Sequence, residues 1–239
     1  MLPPGVVKGG TALKARMGEE RSRFTPDLDA SRSKDIPLDE YIAGLGDNLA
    51  DGWGGFTGTL SIIEPRRPED VPEDYVMQPF DVRLAYEDRH WLTVTFELGR
   101  DEAGSTDAAV YRLADDILEI FSVLGLPEPE PLPLVTAEHQ AAQKLHACTY
   151  VNPKTNRNDR AHDLVDLQLL AEDEPIDPAE LNSVAERLFA GRRQQQWPPT
   201  VVSYDGWQLL SQETVSLGLP QPNMDCIRVP PPHRTGDAR

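Results

Sequence analysis

Cysteine is scarce in this chain: Cys148 and Cys226 are the only two in 239 residues. One pair cannot make the multi-bridge framework of a small secreted scaffold, and 239 residues with 39% hydrophobic content can bury a core of their own. No apolar run approaches the roughly 20 residues that cross a bilayer, so no membrane association is expected. The start, Met1-Leu2-Pro3-Pro4-Gly5, lacks the charged and apolar regions of a secretory signal. These absences lead to the expectation of a cytoplasmic protein. Positive charge is short as well: 23 Lys and Arg stand against 40 Asp and Glu, a net of -17. Nonspecific nucleic-acid binding is driven by neutralising phosphates, so DNA binding is not expected. The deficit is uneven. Residues 1–34 hold seven Lys and Arg against four Asp and Glu, which leaves the acidity to the rest of the chain.

What is present begins in that basic stretch. Val6-Val7-Lys8 is a short apolar run ending in Gly9-Gly10, and Thr11-Ala12-Leu13 follows. Glycine lets the backbone turn tightly and approach a ligand closely. A helix opening at Thr11 would offer unpaired N–H groups to an anion. Arg23-Phe24-Thr25-Pro26-Asp27-Leu28-Asp29 then reads as a second strand. Residues i and i+2 of a strand share a face, so Asp27 and Asp29 project together, at a separation that suits a shared divalent cation. A phosphate cradle beside an acidic pair suggests nucleotide chemistry.

The rest of the chain reads as mixed α/β and then mostly helical. The pattern predicts strands over 5–8, 24–31 and 57–63, a hairpin over 80–98, and helices over 11–18, 37–51 and 111–124. On the hairpin, Thr93, Thr95 and Glu97 share one face. Residues 127–133, four prolines among seven residues, read as a stiff extended linker. Helices are expected over 136–148, 160–171, 178–190 and about 205–217, and a Pro-rich tail after Leu219. This gives an α/β domain over 1–126, a helical domain over 127–219 and a tail over 220–239.

The two helices after the linker carry a second polar group. Lys144-Leu145-His146-Ala147 lies in one, and Arg160-Ala161-His162-Asp163-Leu164-Val165-Asp166-Leu167 in the next. Arg160, Asp163 and Asp166 are spaced three apart and neighbour one another on a helix surface. The apolar residues around them predict burial, and buried carboxylates need partners. Lys144 and Arg160 are the natural ones.

These four motifs, in this order over residues 6 to about 170, resemble the AbiEii/AbiGii nucleotidyltransferase toxin family. The resemblance implies a nucleotidyltransferase-like mixed sheet followed by a helical domain, with the active site between them. It implies that Asp27 and Asp29 hold Mg2+ on a nucleoside triphosphate and that Thr25 lies next to the metal pair. Lys144 would contact the triphosphate, with Lys8, Gly9, Gly10, Thr11 and Arg160 contributing to nucleotide binding. Asp163 matches the acidic residue of the last motif, and Asp166 is the alternative. Glu97 is the candidate for a third carboxylate from a neighbouring strand. The resemblance further implies a tRNA or protein acceptor and an antitoxin encoded nearby. Two other readings stay open. One is a nucleotide- or antitoxin-binding relic without its first structural element. The other is a metal phosphohydrolase of the HD type built on His162-Asp163, with His139 or His146 upstream.

Overall fold

The computed structural model describes residues 2–67, 71–158 and 160–200, together with Val202, Tyr204 and Trp207. Seven strands among them form one mixed sheet. They are β1 (Gly5–Lys8), β2 (Asp27–Arg32), β3 (Phe56–Ile62), β4 (Gln78–Tyr86), β5 (Arg89–Gly99), β6 (Val110–Arg112) and β7 (Leu132–Leu134). Their order across the sheet is β3-β4-β5-β2-β1-β7-β6. β1 runs antiparallel to β2, which runs parallel to β5, so these three central strands carry both acidic residues and the glycine turn.

Alternation decides which face is buried. Ala30 of β2, Phe80 and Val82 of β4, and Phe96 and Leu98 of β5 point to one side. Helix α2 (Leu38–Asp51) covers them with Tyr41 and Leu45. The residues between these, Asp27, Asp29, Thr95 and Glu97, therefore lie on the opposite face. Helix α1 (Gly9–Met17) ties the sheet to the helices that follow. Ala12 and Ala15 pack with Val7 and Leu134, while Leu13 and Met17 join the core of α4 (Ala137–Thr149) and α5 (Ala161–Asp173). Helix α6 (Pro178–Arg192) packs on α4 through Ala142, Val184, Leu188 and Phe189.

Several expected boundaries move. The first helix opens at Gly9 rather than Thr11, because Gly9 adopts a φ of +63 that turns the chain directly out of β1. β2 starts at Asp27, one residue past Pro26, which has no N–H to give to a ladder. The predicted helix over 111–124 is instead β6 followed by α3 (Asp115–Val123). The 127–133 stretch is not only a linker: Leu132–Leu134 form β7, and Val7 pairs with Leu134 in parallel. The predicted helix over 205–217 and the tail lie outside the described residues, Trp207 apart.

Candidate active site

The sheet register assembles the acidic face. Lys8 lies opposite Asp29 across β1 and β2. Asp29 lies beside Glu97, and Asp27 beside Thr95, across β2 and β5. Asp27 is exposed at the strand start, while Asp29 and Glu97 are half-buried. Burial, and then the neighbouring Asp27 charge, raise the Asp29 carboxyl above its ordinary range. Burial followed by Asp29 and Asp27 does the same to Glu97. Asp29 and Glu97, each raised by burial and then by neighbouring carboxylates, mark a concentration of negative charge that a cation would relieve. Among the described residues, no group of three His, Cys, Asp or Glu side chains stands arranged to hold a metal ion. Asp27, Asp29 and Glu97 are thus neighbours on one face without forming a closed cage.

The glycine turn abuts this face. A Cβ at Gly9 would lie 2.1 Å from Asp29 Oδ2, and one at Gly10 would lie 2.7 Å from Thr25 Oγ1. The two glycines therefore let α1 begin against the carboxylate and against Thr25. Thr11 Oγ1 donates to the Asp27 carbonyl at 2.9 Å, fixing the first turn of α1 to the start of β2. Thr25 Oγ1 donates weakly to the same carbonyl at 3.4 Å. Gln140 on α4 donates to the Gly9 carbonyl at 2.9 Å, so the helical part holds the turn from behind.

The second polar group forms a buried ion cluster. Lys144 Nζ donates to Asp163 Oδ1 at 3.0 Å and to Asp166 Oδ2 at 2.5 Å. Asp166 is fully buried and also accepts from Arg23 at 3.0 Å. Burial alone would lower the Lys144 pKa, but Asp166 and Asp163 outweigh it and raise it. Burial works against the Asp163 charge too, yet Lys144 and then His162 and Arg160 hold its pKa below the ordinary value. Arg160 sits 3.9 Å from Asp163 Oδ2 and His162 3.8 Å, beyond hydrogen-bond reach. Asp163 Oδ2 consequently has no hydrogen-bond partner though buried. The expected pairing of Lys144 and Arg160 with the α5 carboxylates is present, Lys144 tightly and Arg160 loosely.

Three residues of this region carry no sequence signal that singled them out. Arg23 was visible only as part of a motif. Glu102 lies in a stretch that reads as polar loop, yet it is 5% exposed and accepts from Arg192 Nε at 2.5 Å and Nη2 at 2.8 Å. Arg192 also donates to His146 Nδ1 at 3.1 Å. The signal that would have exposed this network is long-range and has no local spacing.

His146 gives a pH-dependent stability. Burial first, and then Arg192, push its pKa down to about 3. The unfolded chain binds the proton at the ordinary value near 6.5 and the folded chain resists it. The contribution is therefore complete above that value and is lost as pH falls toward 3, about 3 kcal/mol at pH 4. Urea unfolding between pH 7 and 4 measures it, and His146→Gln is expected to remove that part of the slope.

The hydrolase reading fits poorly. His139 spends Nδ1 on Thr136 Oγ1 at 3.0 Å and Nε2 on the Ala103 carbonyl at 3.2 Å, and His146 faces Arg192. Neither is paired with His162 or Asp163.

Residues 3–223 match the family model described as Nucleotidyl transferase AbiEii toxin, Type IV TA system. Among solved structures, the chain is similar to MenT4, a nucleotidyltransferase toxin from Mycobacterium tuberculosis H37Rv. The identity is 20% and the TM-score 0.54, over 96% of this chain and 81% of that chain. At that identity the likeness carries the fold alone. No curated protein matches the sequence.

Proposed function

Because the chain belongs to the AbiEii family of nucleotidyltransferase toxins of type IV toxin–antitoxin systems, we propose that it moves a nucleotide from a nucleoside triphosphate to an acceptor hydroxyl on the acidic face of β2 and β5. The observation that carries this reading is the placement of Asp29. It shares a strand face with Asp27, neighbours Glu97, and packs against the Gly9 turn that opens α1.

The donor set suits Mg2+, which prefers oxygen ligands and commonly takes one or two carboxylates together with substrate phosphates. Asp27 and Asp29 would hold it, with Glu97 as the third carboxylate in reserve. Bound there, Mg2+ would neutralise charge on the α-phosphate. The remaining work falls to the chain. Gly9, Gly10 and Thr11 bring backbone amides up to the phosphates. Thr25 lines the same turn. Glu97, with its raised pKa, would take the acceptor proton. Asp163, with Asp166 as the alternative, and Lys144 close the site from the helical side. Phosphoryl chemistry of this kind is mostly positioning and charge neutralisation. The acceptor class is a tRNA or protein hydroxyl, the partner an antitoxin encoded nearby, and the location cytoplasmic.

The full chain is incubated with each of the four labelled nucleoside triphosphates, Mg2+, and RNA or protein as acceptor. Label is expected in one acceptor fraction only when Mg2+ is present. No incorporation from any of the four overturns the reading and favours a binding relic.

A further inference from the structure

Helix α3 is amphipathic, yet not one of its nine residues is buried. Ile120, Val123 and Leu124 are spaced as neighbours on one helical stripe, and Val123 is 80% and Leu124 65% exposed. The apolar surface continues off the helix. The Phe121 ring meets Trp53 edge-on, with centroids 5.6 Å apart. Trp53 and Phe56 exchange backbone hydrogen bonds across the turn that opens β3. Phe56 in turn packs on Tyr86 at 4.8 Å and on Trp91 at 4.9 Å, beside the turn between β4 and β5. Trp53, Tyr86 and Trp91 are all exposed. Exposed aromatic and aliphatic side chains joined by contact into one face mark an interaction site.

The charge around this face is one-sided. The segments that build it, 51–56, 86–91 and 117–128, hold five carboxylates and one arginine. Asp51, Glu87, Asp88, Glu119 and Glu128 are all exposed, and the arginine is Arg89. Glu119 lies one turn before Val123 on α3. Glu87 donates its N–H to the Gly55 carbonyl at 3.0 Å, so the turn between β4 and β5 lies against the turn that carries Trp53. Glu87 and Asp88 hold φ of +45 and +62, the left-handed region where glycine is the less strained choice. Two acids therefore stand at the rim where the local geometry favours an uncharged residue. That charge argues against two occupants. A second copy on a two-fold axis would bring rim against rim, and an anionic lipid surface would repel it.

We propose that this face docks a cationic amphipathic helix of another protein, its apolar side on α3 and the neighbouring aromatics and its Lys and Arg residues against the acidic rim. The ridge of Ile120, Val123 and Leu124 is the kind of surface a second helix packs on. Rim charges of opposite sign orient the partner and speed its approach. Trp91 and Glu97 are six residues apart on β5, about 20 Å at the rise of a strand, so the docked helix leaves the acidic face of β2 and β5 open. The docking face is independent of the nucleotidyl-transfer reading.

Synthetic fluorescein-labelled peptides are titrated into the full chain and followed by anisotropy. One is a helical amphipathic Leu/Lys peptide, one a scramble of the same composition, and one the amphipathic pattern with Glu in place of Lys. The proteins are wild type, the double variant Val123→Ser with Leu124→Ser, and the charge variant Glu87→Gln with Glu119→Gln. All four side chains are exposed, and each variant is first checked for an unchanged thermal midpoint. The Leu/Lys peptide is expected to bind wild type about tenfold or more tightly than the scramble, and each variant to lose about tenfold in affinity for it. The Leu/Glu peptide is expected not to bind. Equal binding of the Leu/Lys peptide and its scramble, or wild-type affinity in either variant, overturns the docking face. So does a wild-type dimer in sedimentation velocity, or adsorption to phosphatidylcholine–phosphatidylserine vesicles, that Val123→Ser with Leu124→Ser abolishes, since either gives the face to another occupant.

Discussion

Asp29→Asn is expected to lower nucleotide incorporation by about 10^3-fold and to leave the fold intact. The amide has the shape of the carboxylate, so the packing against Gly9 survives. Only the charge goes. That charge is costly where it stands, since burial and Asp27 both oppose it, so its removal is not expected to lower the thermal midpoint. The activity loss follows from the proposed chemistry. Groups that are preorganised around a reacting phosphate are worth roughly 10^2–10^3 each, and a metal ligand belongs at the upper end. Incorporation of label from the preferred nucleotide, read beside a melting curve, checks both halves. Wild-type rates in Asp29→Asn would remove the acidic face from the site.

Asp166→Ala is expected to cost about 3–5 kcal/mol of stability, the range for breaking a buried ion pair by removing one partner. The side chain is fully buried and serves two cations, Lys144 at 2.5 Å and Arg23 at 3.0 Å. Its loss leaves Lys144 buried with only Asp163, and Arg23 without its partner. The cost is that of orphaned charge, not of a missing contact. Replacing both ends of the Lys144 pair, as in Lys144→Met with Asp166→Leu, is therefore expected to recover part of the loss. Urea unfolding gives the free energies directly. A loss below about 1 kcal/mol in the single variant would mean that the cluster relaxes toward water.

How much of this was legible in the sequence differs by element. Asp27 and Asp29 were readable because a strand's period of two is local, and Lys144 with Asp163 because burial of carboxylates on an apolar helix demands a cation. The 111–124 helix was misread at its start. Leu113 happens to fall in phase with Ile117, Ile120 and Leu124, and the Asp115-Asp116 pair that opens α3 is the helix-start signal that should have outweighed the period. β7 hid among prolines. Pro133 has no N–H for a ladder, and a three-residue strand pairing at Val7 and Leu134 tolerates that. The pairing of Arg23 with Asp166 and the Glu102, Arg192 and His146 chain join positions far apart, so no spacing rule reaches them.

Arg16 gives this architecture a property of its own. The guanidinium of α1 is buried where α1, the end of β7 and the helices meet. It donates to the Val135 carbonyl, to Gln140 at 3.3 Å and to Glu174 at 3.3 Å. All three acceptors come from the C-terminal side of the composition break, while Arg16 itself comes from the N-terminal side. Separating the two parts would take these acceptors from Arg16 and bare Leu13 and Met17, which share the core of α4 and α5, so the two parts are expected to fold together. A single transition is therefore expected when the chain is melted in a calorimeter, and two resolved transitions would restore the break that composition draws between sheet and helices.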